Sequence, residues 1–84
     1  MKTERLHSLV DLITAANYQF IFNRMLSTQA DIALTKYHVL IHVTEDVDGK
    51  IKGVTYSSTD LGGCVYDPGL IKAENHIRQL MEGR

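Results

Sequence analysis

The chain has 84 residues, nine of them basic and ten acidic, which leaves a formal net charge of −1. A chain of this length forms a single domain, residues 1–84, and has too little volume for a deep active-site cleft. Because no net positive field attracts a polyphosphate, a nucleic-acid partner is disfavoured. These limits favour a protein that works through a shallow binding surface.

A single cysteine excludes an internal disulfide of the kind on which small secreted domains depend. No charged segment precedes an apolar leader, and no apolar run approaches the roughly 20 residues that span a bilayer. We therefore expect a cytoplasmic protein with no membrane partner. The initial methionine and the absence of tag-like residues lead us to expect a complete small gene product.

The first predicted element is an N-terminal helix over about residues 4–16, which Thr3 can cap. The apolar residues of this segment recur at helical spacing, and polar residues occupy the other faces. The apolar set is Leu6, Leu9, Val10, Ile13 and Ala16.

Residues 17–36 leave helix and strand open, because no glycine or proline interrupts them. Alternating aromatic residues at positions 18–22 suit a strand. A capping-box pattern over residues 28–31 suits the start of a short helix. We predict helical structure through this region with a break near Asn17 or Ser27, and a strand is the alternative.

The centre of the chain carries a β-hairpin signature over residues 37–58. Two runs rich in β-branched and aromatic residues, 37–45 and 51–58, flank a turn that contains Asp48 and Gly49. The core face of the first strand is predicted from alternation: Tyr37, Val39, Ile41 and Val43. Because this strand has no proline and few charges, it could also form an exposed sheet edge, and we predict that a second chain would then pair with it.

A C-terminal helix is predicted over about residues 68–82. Asp67 suits the N-cap, Pro68 suits the first helical position, and Gly83 suits the end of the helix. The segment 59–66 is predicted to be irregular or a short third strand. The fold class is therefore α+β, with the two terminal helices packed on one face of a small antiparallel sheet.

The candidate for chemistry is Cys64, which follows Gly62 and Gly63 shortly before the last helix. A thiol near a helix N-terminus can have a lowered pKa, and a histidine could serve as its base. A small buried cysteine beside a tight turn explains the same residues, and we favour that interpretation. An enzyme or ligand sensor that depends on Cys64 remains an alternative.

We predict neither a cofactor nor a metal site. His38 and His42 lie four residues apart in a predicted strand, which separates their Cα atoms by about 13 Å. Such a separation is too large for both imidazoles to bind one metal ion, and no other spacing typical of metal ligands occurs.

The aromatic residues either pack together in one core or leave a contact patch with Met25, Leu26 and Leu40. We predict core packing for most of them, and a patch that marks a partner site is the alternative. They are Tyr18, Phe20, Phe22, Tyr37, Tyr56 and Tyr66.

No segment carries a signature specific to a family, and no acid, base and nucleophile converge in one motif. We therefore predict a non-enzymatic, homodimeric protein-binding accessory or regulatory protein, an adaptor or inhibitor of the kind that phages and mobile elements encode. The predicted partner-binding residues are His38, Leu40, His42, Gly62, Gly63, Cys64 and Tyr66. A nucleic-acid-binding regulator is a further alternative, and it would use Lys2, Arg5, Lys72 and Arg78.

Overall fold

The structure, a computed structural model, describes residues 3–34, 38–58 and 68–83. An N-terminal helix is followed by three strands and a C-terminal helix, which is the α+β class that the sequence predicts. The elements are α1 (Thr3–Phe22), β1 (Gln29–Leu34), β2 (Val39–Val47), β3 (Lys50–Ser57) and α2 (Pro68–Met81). Neither of these two helices is both long and apolar enough to cross a membrane.

The sheet has the strand order β1-β2-β3, and both pairings are antiparallel. His42 of β2 lies opposite Asp31 on one side and opposite Thr55 on the other. The strand that the sequence analysis expects at an exposed edge is therefore the central strand. That prediction is wrong because β1, in a region where a helix was favoured and a strand was the alternative, pairs with its other side.

The hairpin prediction is confirmed, with Asp48 and Gly49 as the two loop residues between β2 and β3. Their φ angles are 54° and 81°, the left-handed values that a two-residue hairpin turn needs at both positions. The Asp46 carboxylate accepts a hydrogen bond of 2.9 Å from the Gly49 N–H and holds the turn closed. The strands are shifted from the predicted 37–45 and 51–58 by only one or two residues.

The region 17–36 divides into a helical part and a strand. The helical prediction is correct as far as Phe22, and it is wrong for residues 29–34, which form β1. The helix ends without glycine: the Met25 N–H bonds the Phe20 carbonyl at 2.8 Å while Arg24 takes a φ of 57°. This is a Schellman motif with arginine at the position that glycine usually occupies.

Both helices pack on one face of the sheet and form a single core. The prediction that Val39, Ile41 and Val43 face this core is confirmed, whereas Tyr37 lies outside the described residues, as do residues 59–67. Helix α2 matches its predicted range to within one residue. The buried apolar residues are Leu9, Ile13, Ala16, Phe20, Ala30, Val39, Ile41, Val43, Leu70, Ala73, Ile77 and Leu80.

Candidate interaction surface

The C-terminal half of α1 carries large apolar side chains that face solvent. Tyr18 is 65% exposed, Ile21 67% and Phe22 81%, and Leu26, just beyond the helix, is 83% exposed. Residues three and four apart are neighbours on a helix, so Ile21 and Phe22 both lie next to Tyr18. We call these four residues the α1 surface.

Helical geometry explains why one aromatic side chain of this segment is buried and two are not. Each residue turns about 100° around the helix, so Tyr18 and Phe22 lie about 160° away from Phe20, one on either side. Phe20 is 1% exposed and packs in the core between the helices and the sheet. The alternating aromatic residues that resemble a strand in the sequence therefore lie on a helix, with the Phe20 ring in the core and the Tyr18 and Phe22 rings in solvent.

Two shallow cavities, one of mixed polarity and one mainly apolar, lie along the seam between α1 and β1. One of about 180 Å³ begins at Ile21 and Leu26 and runs towards Gln29. The other, of about 240 Å³, lies further along the seam and is lined by Leu6, His7, Val10, Asp11, Ile32 and Leu34. The α1 surface thus borders the first of these cavities through Ile21 and Leu26, and a concave neighbour is a feature of surfaces that bind partners.

A side chain of α1 caps the outer edge of β1 at Ala30. The Ala30 N–H donates to Asn17 Oδ1 at 2.9 Å, and Asn17 Nδ2 donates to the Ala30 carbonyl at 2.8 Å. In an antiparallel edge strand, every second residue points its N–H and its carbonyl away from the neighbouring strand. At Ala30 the Asn17 side chain binds both of these groups. On β3, Lys50 and Lys52 provide the charge that discourages pairing at an edge.

The structure describes three of the seven predicted partner-binding residues, all in or next to β2. Leu40 and His42 lie on the sheet face opposite the helices, where His42 is exposed and its Nδ1 lies 2.8 Å from Thr55 Oγ1. The imidazole lies over Gly53, because a Cβ added there would come within 3.0 Å of the ring. His38 is half-buried directly before β2. The remaining predicted residues lie outside the described ranges: Gly62, Gly63, Cys64 and Tyr66.

Three polar side chains meet between α2 and the sheet, a cluster that the sequence analysis missed. The Tyr56 hydroxyl lies 2.8 Å from His76 Nδ1, and His76 Nε2 lies 3.0 Å from a carboxylate oxygen of Glu45. A neutral His76 donates to Glu45 and accepts from Tyr56, whereas a charged His76 donates to both. Both ring nitrogens of His76 therefore have a hydrogen-bond partner whether the imidazole is neutral or charged. The two hydrogen bonds connect α2 to both β2 and β3.

The environment of Tyr56 suits a hydrogen-bond donor and not a nucleophile. Burial raises the pKa of Tyr56 above its ordinary value, and the nearby Glu45 carboxylate raises it further. The hydroxyl therefore stays protonated near neutral pH. Among the residues of the described ranges, no three histidine, cysteine or acidic side chains converge to hold a metal ion.

Replacing Tyr56 by phenylalanine should lower the stability by about 1 kcal/mol near neutral pH, because His76 loses its partner. In wild type the folded state resists ionisation of Tyr56, whose ordinary pKa is 10.0, so stability falls as the pH rises above this value. Tyr56→Phe has no hydroxyl to ionise, so its stability does not fall for this reason. Urea unfolding should therefore show that the difference in free energy of unfolding between the two proteins decreases as the pH rises above 10.0.

Tyr18→Phe is the matched control for this experiment, because the Tyr18 side chain is 65% exposed. At concentrations low enough to keep the chain monomeric, it should leave the stability unchanged at neutral pH. A gap between wild type and Tyr56→Phe that stays constant through the alkaline range would contradict the assignment.

The basic residues considered for nucleic-acid binding do not form one exposed patch. The Arg5 guanidinium on α1 pairs with the Glu74 carboxylate on α2, and both side chains are largely buried. Lys72 and Arg78 are exposed on α2, and Lys2 lies outside the described residues. Arg5 thus serves the packing of the two helices, which leaves fewer cations for phosphate.

No protein-family model matches this chain, and no significant match was found among curated proteins or solved structures.

Proposed function

We propose that this chain is a non-enzymatic protein-binding protein, an adaptor or regulator, that works as a homodimer joined through the α1 surface. The supporting observation is the side-by-side exposure of Tyr18, Ile21, Phe22 and Leu26, each 65–83% exposed. Monomeric soluble proteins rarely present contiguous apolar patches larger than a few hundred Å². Complete burial of one such side chain contributes roughly 1.5–3 kcal/mol, which gives association its driving force.

The size of the domain adds a second argument for association. A chain of 84 residues buries a smaller share of its surface than a larger domain does, so its stability is modest. Association of the folded state stabilises it by mass action. Asn17 caps the β1 edge at Ala30, and Lys50 and Lys52 put charge on the β3 edge. The α1 surface, which carries no charged side chain, is therefore the better candidate for this contact.

Replacing Ile21 by aspartate tests the proposal, because it puts a carboxylate in the middle of the α1 surface. Burying an unpaired charge in an interface should weaken self-association by at least roughly a hundredfold. Ile51→Asp is the matched control: Ile51 is 66% exposed on β3, against 67% for Ile21 on α1. Both variants should fold, because neither side chain belongs to the core.

The readout is the molar mass from light scattering across a concentration series, with circular dichroism to confirm folding. Wild type and Ile51→Asp should approach the mass of a dimer, while Ile21→Asp should stay a monomer. A wild type that is monomeric at every concentration, or two variants that dimerise equally, would contradict the proposal.

A further inference from the structure

Strand β3 forms one edge of the sheet, and within the described ranges no strand lies on its outer side. The two-residue turn makes Val47 and Lys50 a hydrogen-bonded pair, and such pairs then alternate with non-bonded ones along the hairpin. Every second residue of β3 therefore points its N–H and its carbonyl away from β2. These outward residues are Ile51, Gly53, Thr55 and Ser57.

The outward backbone groups of β3 lack the kind of cap that Asn17 provides on β1. Asn17 binds both groups of Ala30, whereas no side chain of the described residues bonds the outward groups of β3. Every residue of β3 except Tyr56 is exposed. Rows of unpaired donors and acceptors of this kind are what an extended peptide binds when it adds a strand to a sheet.

A groove between β3 and α2 runs beside this edge. An added strand would place alternate side chains on the helix side of the sheet, next to Val54 and Tyr56. The groove gives those side chains room, because its volume is about 360 Å³. It is lined by Tyr56 of β3 and by Lys72, Asn75, His76 and Gln79 of α2.

The charges around the groove indicate the chemistry of the partner. Lys50 and Lys52 on β3 and Lys72 on α2 are exposed, and in the described part of the chain none of them forms an ion pair. The nearby Glu45 carboxylate is bound by His76. Because β3 has two lysines and no acidic residue, two copies of β3 would repel each other. An acidic strand would be attracted by the same lysines.

We infer that the groove between α2 and β3 binds an extended acidic segment of another protein, which adds to the sheet beside β3. This inference rests on the proposed protein-binding function and adds a second surface, the mode of binding and the chemistry of the partner. Acidic side chains of the segment lie near Lys52 and Lys72, and an apolar one covers Val54, which is 41% exposed. The backbone hydrogen bonds supply affinity, and the side chains supply selectivity.

The test begins with a display library of short random peptides selected on the full chain, followed by fluorescence anisotropy with the enriched peptides. These peptides should be acidic and should bind more weakly as the salt concentration rises. Lys72→Glu should weaken their binding about tenfold, because repulsion replaces attraction. Arg78→Glu is the matched control: Arg78 is exposed on the same helix but does not line the groove. Its affinity should stay within about threefold of wild type.

Thr55→Pro tests the pairing of the backbone, because it removes an outward N–H from β3. An edge strand tolerates proline where the N–H faces solvent, and circular dichroism checks that the variant folds. Binding should weaken by at least about tenfold. Thr55→Val is the control: it keeps the N–H and, like proline, lacks the hydroxyl that contacts His42. Its affinity should stay within about threefold of wild type.

Amide hydrogen exchange distinguishes strand addition from docking of side chains alone. Exchange at Gly53 and Thr55 should slow when peptide is bound. A library that yields no acidic binder, or acidic peptides that bind without slowing these amides, would overturn the inference. Amides that already exchange slowly in the free protein would overturn it too, because the chain itself or a second copy would then cover the edge. The dimer through the α1 surface is tested separately by the molar masses of wild type and Ile21→Asp.

Discussion

Replacing Phe20 by alanine is expected to destabilise the fold by about 3–5 kcal/mol, the range for large aromatic side chains removed from a core. Phe20 is 1% exposed and is the largest of the fully buried side chains in the described residues. Its ring fills the space between α1 and the sheet, and its carbonyl also accepts the bond that ends the helix. Because small domains have only about 5 kcal/mol to lose, the variant should be mostly unfolded.

Phe22→Ala is the matched control, since the same side chain is removed two positions further along the same helix. Phe22 is 81% exposed, so the free energy of unfolding should change by less than about 0.5 kcal/mol. Urea unfolding followed by circular dichroism, at concentrations low enough to keep the chain monomeric, measures both. If Phe20→Ala is too unstable to measure, Phe20→Leu leaves a smaller cavity and should give an intermediate loss. Equal losses at the two positions would contradict the assigned packing of α1.

Asn17→Ala is expected to cost about 2 kcal/mol, because it leaves two backbone groups of β1 without partners. Both the N–H and the carbonyl of Ala30 lose their bonds to the asparagine side chain. The same change opens the outer edge of β1, which should make the protein more prone to aggregate. Hydrogen exchange of the Ala30 amide should accelerate in the variant more than that of amides in the β2–β3 hairpin.

Asn23→Ala provides the comparison, because Asn23 is exposed just beyond the end of α1. We expect its effect on stability to be within about 0.5 kcal/mol of zero. If the Ala30 amide exchanges at the same rate in Asn17→Ala as in wild type, the hydrogen bonds to Asn17 do not protect this edge.

The hairpin and the C-terminal helix could be predicted because their signals are local. Asp48 and Gly49 take left-handed conformations that few residue types adopt easily, so the turn fixes its own position. Pro68 and Gly83 likewise mark the start and end of α2 through their own backbone preferences. Each of these signals depends on one or two residues and needs no tertiary contact.

Strand β1 could not be predicted in the same way, because its existence depends on distant partners. Its residues carry no turn signal. The helix before it ends at Phe22, and the turn that follows puts Arg24, a residue with no intrinsic preference for it, in the left-handed conformation. The strand is held on one side by β2 and on the other by Asn17, thirteen positions before Ala30. Because the sequence did not favour a strand at β1, β2 was mistakenly predicted to lie at an edge of the sheet.

The candidate surface was only partly visible in the sequence. Tyr18, Phe22 and Leu26 belong to the contact patch that the sequence analysis keeps as an alternative, and Ile21 was missed. A signal was present, because Tyr18, Ile21 and Phe22 have the spacing of neighbours on a helix. It could not be used before the helix was known to continue past residue 16. The Glu45–His76–Tyr56 cluster joins three elements, and no local pattern predicts it.

The most direct test of the α1 surface is the fluorescence of Phe22→Trp as the protein concentration rises. The chain contains no tryptophan, so the new indole reports this surface alone. If the surface joins two copies, the emission should move to shorter wavelength on association, because the indole leaves water. An emission maximum that stays at the water-exposed wavelength while the molar mass rises to that of a dimer, or a molar mass that never rises, would contradict the account.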